Sequence, residues 1–259
     1  RALVDGAAIA DHADALLIVL AAAGYFIAAL LTGRLKKHEI GPLKHEKESA
    51  SVMQGFRDMQ EGFRYLRGHL DASRGIIGTA VQRGGLTALP LTALLLERNT
   101  FNDPAKPEDG LQGFGIALSI AGLGVFLGAF LAPYGVARFG RHRWIKFAMF
   151  ASAFSPIFLA IWQTEIALSV TAFLTAFCGQ NIKVTNDALV QSKIDDYYRG
   201  RVFAVYDVVV NSAIVSGGLI AALLLPTSGV TAKVPLFVMT AYLLVAVVVL
   251  RPSKFKATY

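Results

Sequence analysis

Charge is scarce in this 259-residue chain: Asp, Glu, Lys and Arg together make up 17% of it. An ordinary soluble domain carries about 25%. Apolar residues fill the gap at 54%, with 24 glycines, which is the composition of a polytopic membrane protein. Cysteine is nearly absent. Cys178 is the single copy and falls inside an apolar run, which excludes an internal disulfide and a multi-cysteine metal centre and leaves packing as its role. Motifs for chemistry are missing as well: there is no Gly-x-x-x-x-Gly-Lys, no His-Glu-x-x-His, no Gly-x-Ser-x-Gly and no cluster with metal-ligand spacing. ATP hydrolysis and standard membrane hydrolysis lose their machinery, so the chain is not read as an enzyme and no cofactor or metal is expected. Residues 1 to 12 lack the order of a signal peptide. With Arg1 at the first position, the chain is read as part of a longer protein.

What is present is a series of apolar runs. A hydrocarbon core about 30 Å thick takes about 20 apolar residues per helix. Seven stretches qualify, near 15 to 33, 75 to 96, 111 to 137, 147 to 163, 166 to 190, 202 to 225 and 234 to 250. The expected fold class is therefore all-α, with about seven transmembrane helices. A short basic turn, Arg138, Phe139, Gly140, Arg141, His142, Arg143, separates two runs that carry no charge at all, 111 to 137 and 147 to 162.

The basic residues set an orientation, because short loops rich in Lys and Arg stay in the cytoplasm. Residues 34 to 74 hold nine, 138 to 146 four, 183 to 201 four, and the tail from 251 three; the alternate connections hold only Arg1, Arg98, Lys106 and Lys233. This places the C-terminus in the cytoplasm of a multi-pass protein, with a bacterial plasma (inner) membrane as the expected location. It also removes nucleic acid as a partner, since the formal charge of +7 is spread over loops on one side with no binding motif.

The polar stretch 34 to 74 contains a pattern of its own. Met53, Phe56, Met59, Phe63, Leu66 and Leu70 recur every three or four residues, opposite Arg57, Asp58, Glu61, Arg64 and Arg67. That predicts an amphipathic helix, with Ser51 and Gln54 fitting a capping box at its start. Two placements are open to it. It lies on the inner membrane surface with its arginines near anionic headgroups, or it packs under the bundle.

Ionisable residues inside the runs mark candidate sites, because an Arg or Asp at the centre of a membrane helix costs about 2.5 to 3.5 kcal/mol. Arg83, beside Gln82, lies about 12 Å past Gly75 at 1.5 Å per residue. It is either a cavity-facing cation or a structural pair. Asp207, about 9 Å beyond Arg201 by the same rise, is its natural counter-charge or a proton carrier, with Asn211 one turn further along the same face. Lys183 and Asp187, four apart, read as a solvated pair or a gate contact. Gly122, Gly124 and Gly128 permit close helix approach. The runs 147 to 163 and 234 to 250 contain no acidic or basic residue, so they read as lipid-facing.

The segment from Pro133 through Gly135, Ala137, Arg138, Gly140 and Arg141 to Arg143 resembles the loop signature of the major facilitator superfamily, Gly-x-x-x-Asp-Arg-x-Gly-Arg-Arg, in its second-half copy. Arg138, Gly140 and Arg141 match, whereas Pro133 and Ala137 replace the first glycine and the acid. Asn186, Asp187, Gln191, Asp196, Arg199, Gly200, Arg201 and Val202 resemble the loop before the penultimate helix in the drug and siderophore exporters of that family. The resemblance implies residues 1–33 ending in the last helix of a first bundle, 34–74 a central linker, 75–250 a six-helix second bundle and 251–259 a tail. It implies a missing N-terminal bundle as partner. The implied activity is proton-coupled export of a small amphipathic or lipophilic compound by alternating access. The alternatives are a lipid or lysolipid translocator, and a non-transporting anchor or assembly subunit. Substrate and coupling roles then fall to Arg83, Asp207, Asn211 and Gln82, and gate roles to Arg138, Gly140, Arg141, Lys183, Asp187, Arg199 and Arg201.

Overall fold

The computed structural model describes residues 2–34 and 52–250, and among these every regular element is helical. The expected cap residue Ser51, most of the linker before it and the tail from 251 lie outside the described residues. Two units are separate. The first contains α1 (Ala2–Gly33), an Ala- and Leu-rich helix of 32 residues that covers the expected span 15 to 33. Its apolar side chains from Ile18 to Leu31, among them Tyr25 and Phe26, are exposed.

The second unit, from Val52, comprises α2 (Val52–Gly68), α3 (Leu70–Leu96), α4 (Pro107–Phe139), α5 (Arg141–Ile161), α6 (Glu165–Lys193), α7 (Asp196–Leu224) and α8 (Lys233–Leu244). Two wide π turns extend this set: Glu97–Phe101 continues α3 and Val245–Val249 continues α8. Local chemistry explains the boundaries. Pro107 opens α4 at a position where no amide hydrogen is needed, followed by Glu108 and Asp109 against the positive end of the helix dipole. Thr164 caps α6 by accepting from the Ala167 amide at 3.3 Å. Gly140 ends α4 and starts α5 with φ +77°, a backbone shape that glycine adopts without strain. The glycine of the basic turn is therefore the residue that lets the chain reverse there.

Three of these helices, α4, α5 and α7, are long and apolar enough to cross a membrane by length and composition. That is fewer than the seven runs expected. α3 and α6 have the length, 27 and 29 residues, but carry polar side chains that lower their hydropathy. Those polar groups have turned inward: Thr79, Gln82, Thr92, Thr171, Thr175, Asn181, Thr185 and Asn186 are all buried. α3 is the hub, packed against α6, α7 and α8, while α4 and α5 both lie on α6.

Small residues bring these backbones together. Gly84 of α3 sits on the backbone of Ala213, and Gly217 of α7 sits on the backbone of Gly84. Gly124 and Gly128 of α4 rest on the Phe173 and Phe177 carbonyls of α6, whereas Gly122 faces open space. The Gly124/Gly128 pair is the packing stripe. One core runs through Leu89, Leu96, Met149, Leu159, Ile182 and Tyr242. A second, smaller core gathers Leu66, Ile76, Val190, Val202 and Tyr206 where α2, α3, α6 and α7 meet.

α2 takes the second of the two placements open to it, against the bundle. Leu66 is buried and Gly62 lies against the Arg201 carbonyl of α7, so the helix packs under the bundle. Met53, Phe56, Phe63 and Leu70 remain exposed. By contrast, α5 and α8 pack against each other and contribute Ile145, Met149, Ala153, Val234 and Val238 to the main core. Their outer faces, with Phe147, Ile161, Phe237 and Leu244, stay exposed.

Candidate functional site

Among the three membrane-length helices of the second unit, α7 is the most exposed. Only 11% of its apolar stretch is buried, against 44% for α5. Val208, Val215, Leu219 and Leu223 are uncovered, and Asp207 and Asn211 are exposed with them. Asn211 Nδ2 donates back to the Asp207 carbonyl at 2.8 Å, one turn apart as the helical period requires. The Asp207 carboxylate forms no ion pair among the described residues.

Arg83 does not pair with it. Its guanidinium donates through Nη2 to Gln180 Oε1 of α6 at 3.2 Å, and both side chains are half-buried. Gln82 lies wholly inside the bundle, with Nε2 donating to the Thr175 carbonyl at 3.2 Å and its backbone carbonyl accepting from the Tyr242 hydroxyl at 2.8 Å. It is directed away from any open face. The four residues singled out for substrate and coupling therefore divide into an exposed pair on α7, a half-buried arginine on α3, and a buried amide that stitches α3 to α6.

The gate candidates gather at the basic end. Lys183 pairs with Asp187, and the same carboxylate accepts from Tyr206 of α7 at 2.9 Å. The neighbouring Asn186 amide is fully buried against Gly75 of α3, and neither of its polar atoms has a partner among the described residues. Arg141 Nη1 donates to Ser192 Oγ of α6 at 2.6 Å, tying the turn after Gly140 to the end of that helix. Arg138 is exposed and lies over the Phe139 ring. Arg199 pairs with Asp196 and donates to the Gln191 carbonyl at 3.2 Å. Arg201 reaches across to α2, with Nε 3.1 Å from Asp58 and 3.6 Å from Glu61, and packs over Tyr197 and Tyr198. Tyr65 of α2 completes this contact by donating to Asp195 at 3.1 Å and stacking on Tyr198.

Some participants were not legible in the sequence. Tyr206 and Ser192 are ordinary residues in their own helices, and only the packing of α6 makes them partners of Asp187 and Arg141. Glu97 is a different case. It stands one residue beyond the run 75 to 96 and reads as a solvated end residue, yet it is only 3% exposed. It is the first residue of the π turn and is covered by Gly110 and Gly113 of α4, and no periodicity announces such a turn.

A chain with polar seams inside long apolar helices, a basic reversal at Gly140 and an uncovered helix bearing an acid matches a known pattern. The sequence profile described as Major Facilitator Superfamily matches residues 75–257. The chain belongs to the Major Facilitator Superfamily. It is accordingly an integral membrane protein of a transporter family whose members act on small molecules within the lipid bilayer. Two proteins described as uncharacterized MFS-type transporters, from Mycobacterium bovis and Mycobacterium tuberculosis, are each 28% identical over 231 residues. Those alignments cover 88% of this chain and 51% of each relative, so the chain spans about half their length. A Na(+), Li(+), K(+)/H(+) antiporter of Planococcus maritimus is 35% identical over 96 residues, 35% of this chain and 23% of the antiporter. No solved structure matches the chain. Within this major facilitator chain, the profile begins at Gly75, inside α3, and takes in every later described element.

Proposed function

We propose that this chain belongs to a secondary active transporter that exports a small amphipathic or lipophilic compound in exchange for protons by alternating access. In this reading residues 75–250 form the six-helix second bundle, 34–74 the linker and 1–33 the end of a first bundle. The observation that carries it is Asp207, an acid on an exposed, largely apolar helix face, with no ion-pair partner among the described residues. Facing lipid, such a charge costs about 2.5 to 3.5 kcal/mol. Facing a wet cavity between two bundles, it costs far less and is placed to act as the coupling acid of such an exchange. The partial similarity to a cation/proton antiporter supports the same class of exchange.

Arg83, held by Gln180, is the cation that binds or steers substrate. The contacts at the basic end, Arg141 with Ser192, Lys183 with Asp187 and Tyr206, and Arg201 with Asp58, act as the inner gate. The C-terminal end faces the cytoplasm of a bacterial plasma membrane.

A second reading, transport of a lipid or lysolipid, is favoured by one feature. An open apolar groove of about 490 Å³ runs between α2 and α7, lined by Phe56, Met59, Phe63, Val205, Val208 and Val209. An acyl chain fits its chemistry.

The test uses the full-length protein in proteoliposomes under an imposed proton gradient, with fluorescent amphipathic cations and a labelled lysolipid as probes. Asp207→Asn and Arg83→Ala are expected to insert and fold normally yet lose gradient-driven movement. Wild-type rates in both variants would overturn the cavity assignment, and absence of gradient-driven movement in the wild type itself would favour the non-transporting alternative.

A further inference from the structure

Glu97 is the one fully buried charged side chain among the described residues. It directly follows α3, whose 27 residues place it about 40 Å along the axis from Leu70, at the end opposite the basic turn. Two glycines of α4 close over it. Gly110 rests on the Arg98 backbone and the Glu97 carbonyl, and Gly113 faces the carboxylate so closely that a Cβ there would overlap it. Asn102 holds the group in place: its Nδ2 donates to the Glu97 carbonyl at 3.0 Å and to Oε2 at 3.1 Å.

Among the described residues, the carboxylate forms no ion pair. Arg98, next in the turn, is exposed and forms no ion pair, and Lys233 at the start of α8 is also exposed. Lys106 at the start of α4 is exposed as well, and the remaining charged residues near this end are acids. Glu165 begins α6 and acts on Glu97 through its charge, and Glu108 and Asp109 occupy the exposed first turn of α4. The loop that meets the π turn from the α8 side offers only neutral contacts, Thr227 and Ser228 accepting from Asn99 and Thr100. Burial without an ion-pair partner, near another acid, favours the protonated form of a carboxyl.

We propose that Glu97 is a proton-binding site at the α3–α4 seam, neutral while α4 covers it and ionised when the seam opens to water. The bound ligand is a proton on a carboxylate oxygen, taken from or given to the aqueous phase at this end of the bundle. As a coupling site it rests on the proton-exchange reading above; as a proton-binding site it does not. Burial pushes the Glu97 carboxyl above the usual carboxylate range, the Glu165 charge pushes it further, and the Asn102 hydrogen bond draws it part of the way back. The covered state therefore binds a proton more tightly than the open one. Covering is fully favoured below the ordinary carboxylate range and is lost as pH rises through the elevated covered-state value. Under the proposed orientation, acid on the outer side closes the seam.

The experiment is pH-difference infrared spectroscopy on the full-length protein in liposomes, following the C=O stretch of a protonated carboxyl. The wild type should show a band that bleaches at a midpoint above the ordinary Glu range, and Glu97→Gln, which mimics the neutral form, should lack it. Glu165→Gln should lower the midpoint and Asn102→Ala should raise it. An unchanged band in Glu97→Gln overturns the proposal. Should that variant fail to fold, a midpoint that moves with neither neighbour overturns it equally. The two readings separate in parallel transport assays. A Glu97 band without proton-driven transport retains the site and removes the proton-coupled function; proton-driven transport with a band indifferent to Glu97 does the reverse.

Discussion

Arg83 lies in α3 between the buried Gln82 and the Gly84 contact with α7, and its guanidinium is held by Gln180 of α6. The sequence marks such an arginine because charge is rare in its run, but the partner lies 97 residues away and depends on which faces of two helices meet. Asp207 does not pair with Arg83 despite the similar expected depth, because it projects from the uncovered side of α7 while Gly217 and Ala213 take the side toward α3. Depth follows from a one-dimensional count, whereas facing requires the packing. The hydrogen bond to Gln180 has a measurable consequence. A hydrogen bond to a charged group contributes about 1.5 to 3 kcal/mol, more than one between neutral groups. Gln180→Leu should therefore lower the thermal unfolding midpoint of the purified protein, and Gln180→Glu should restore or exceed it by supplying a charged acceptor. Equal midpoints for wild type and Gln180→Leu would mean that the bond contributes nothing.

At the scale of elements, α2 was legible in its period and illegible in its docking. The Gly-Phe-Arg sequence occurs at 55–57 and again at 62–64, and the two copies look equivalent on a helical wheel. Only the second is used for packing: Gly62 meets the Arg201 carbonyl, while Gly55 has open space around it. The arginine that ties the helices together is not one of the repeat's own but Arg201, reaching from α7 to Asp58 and Glu61. These two contacts differ in weight. The ion pair is partly exposed and is worth about 0.2 to 1 kcal/mol, whereas a leucine forced between packed backbones costs about 1 to 3 kcal/mol. Gly62→Leu should thus release α2 more completely than Arg201→Ala. In hydrogen exchange, amides of residues 52–68 should lose protection in the order Gly62→Leu, then Arg201→Ala, then wild type, while α3 and α6 keep theirs. Gly55→Leu should leave the pattern unchanged.

For the molecule as a whole, the sign and spacing of charge carry the most reliable information, because they survive any ignorance of which helix faces which. Basic residues from three separate connections converge at one end, where Arg74, Arg141, His142 and Lys193 line a single recess of about 230 Å³ together with Asp71. The opposite end has Glu97, Asn102 and Glu165. Successive helices joined by short turns place alternate connections at opposite ends, which is why the charge alternation along the sequence groups these loops. What escaped was the inward rotation of polar residues in α3 and α6, since a membrane-length helix rich in Thr, Gln and Asn looks interrupted until its neighbours supply the partners. The charge asymmetry also fixes an expected orientation. Positive loops resist translocation, so the recess should face the cytoplasm and the Glu97 end the exterior. Cys178 is buried and leaves a quiet background for thiol labelling. In intact cells a membrane-impermeant maleimide should label Asp103→Cys in the loop after the π turn, and should reach Lys193→Cys at the end of α6 only after permeabilisation. The reverse order of labelling would invert the chain in the membrane, and with it the side from which Glu97 takes its proton.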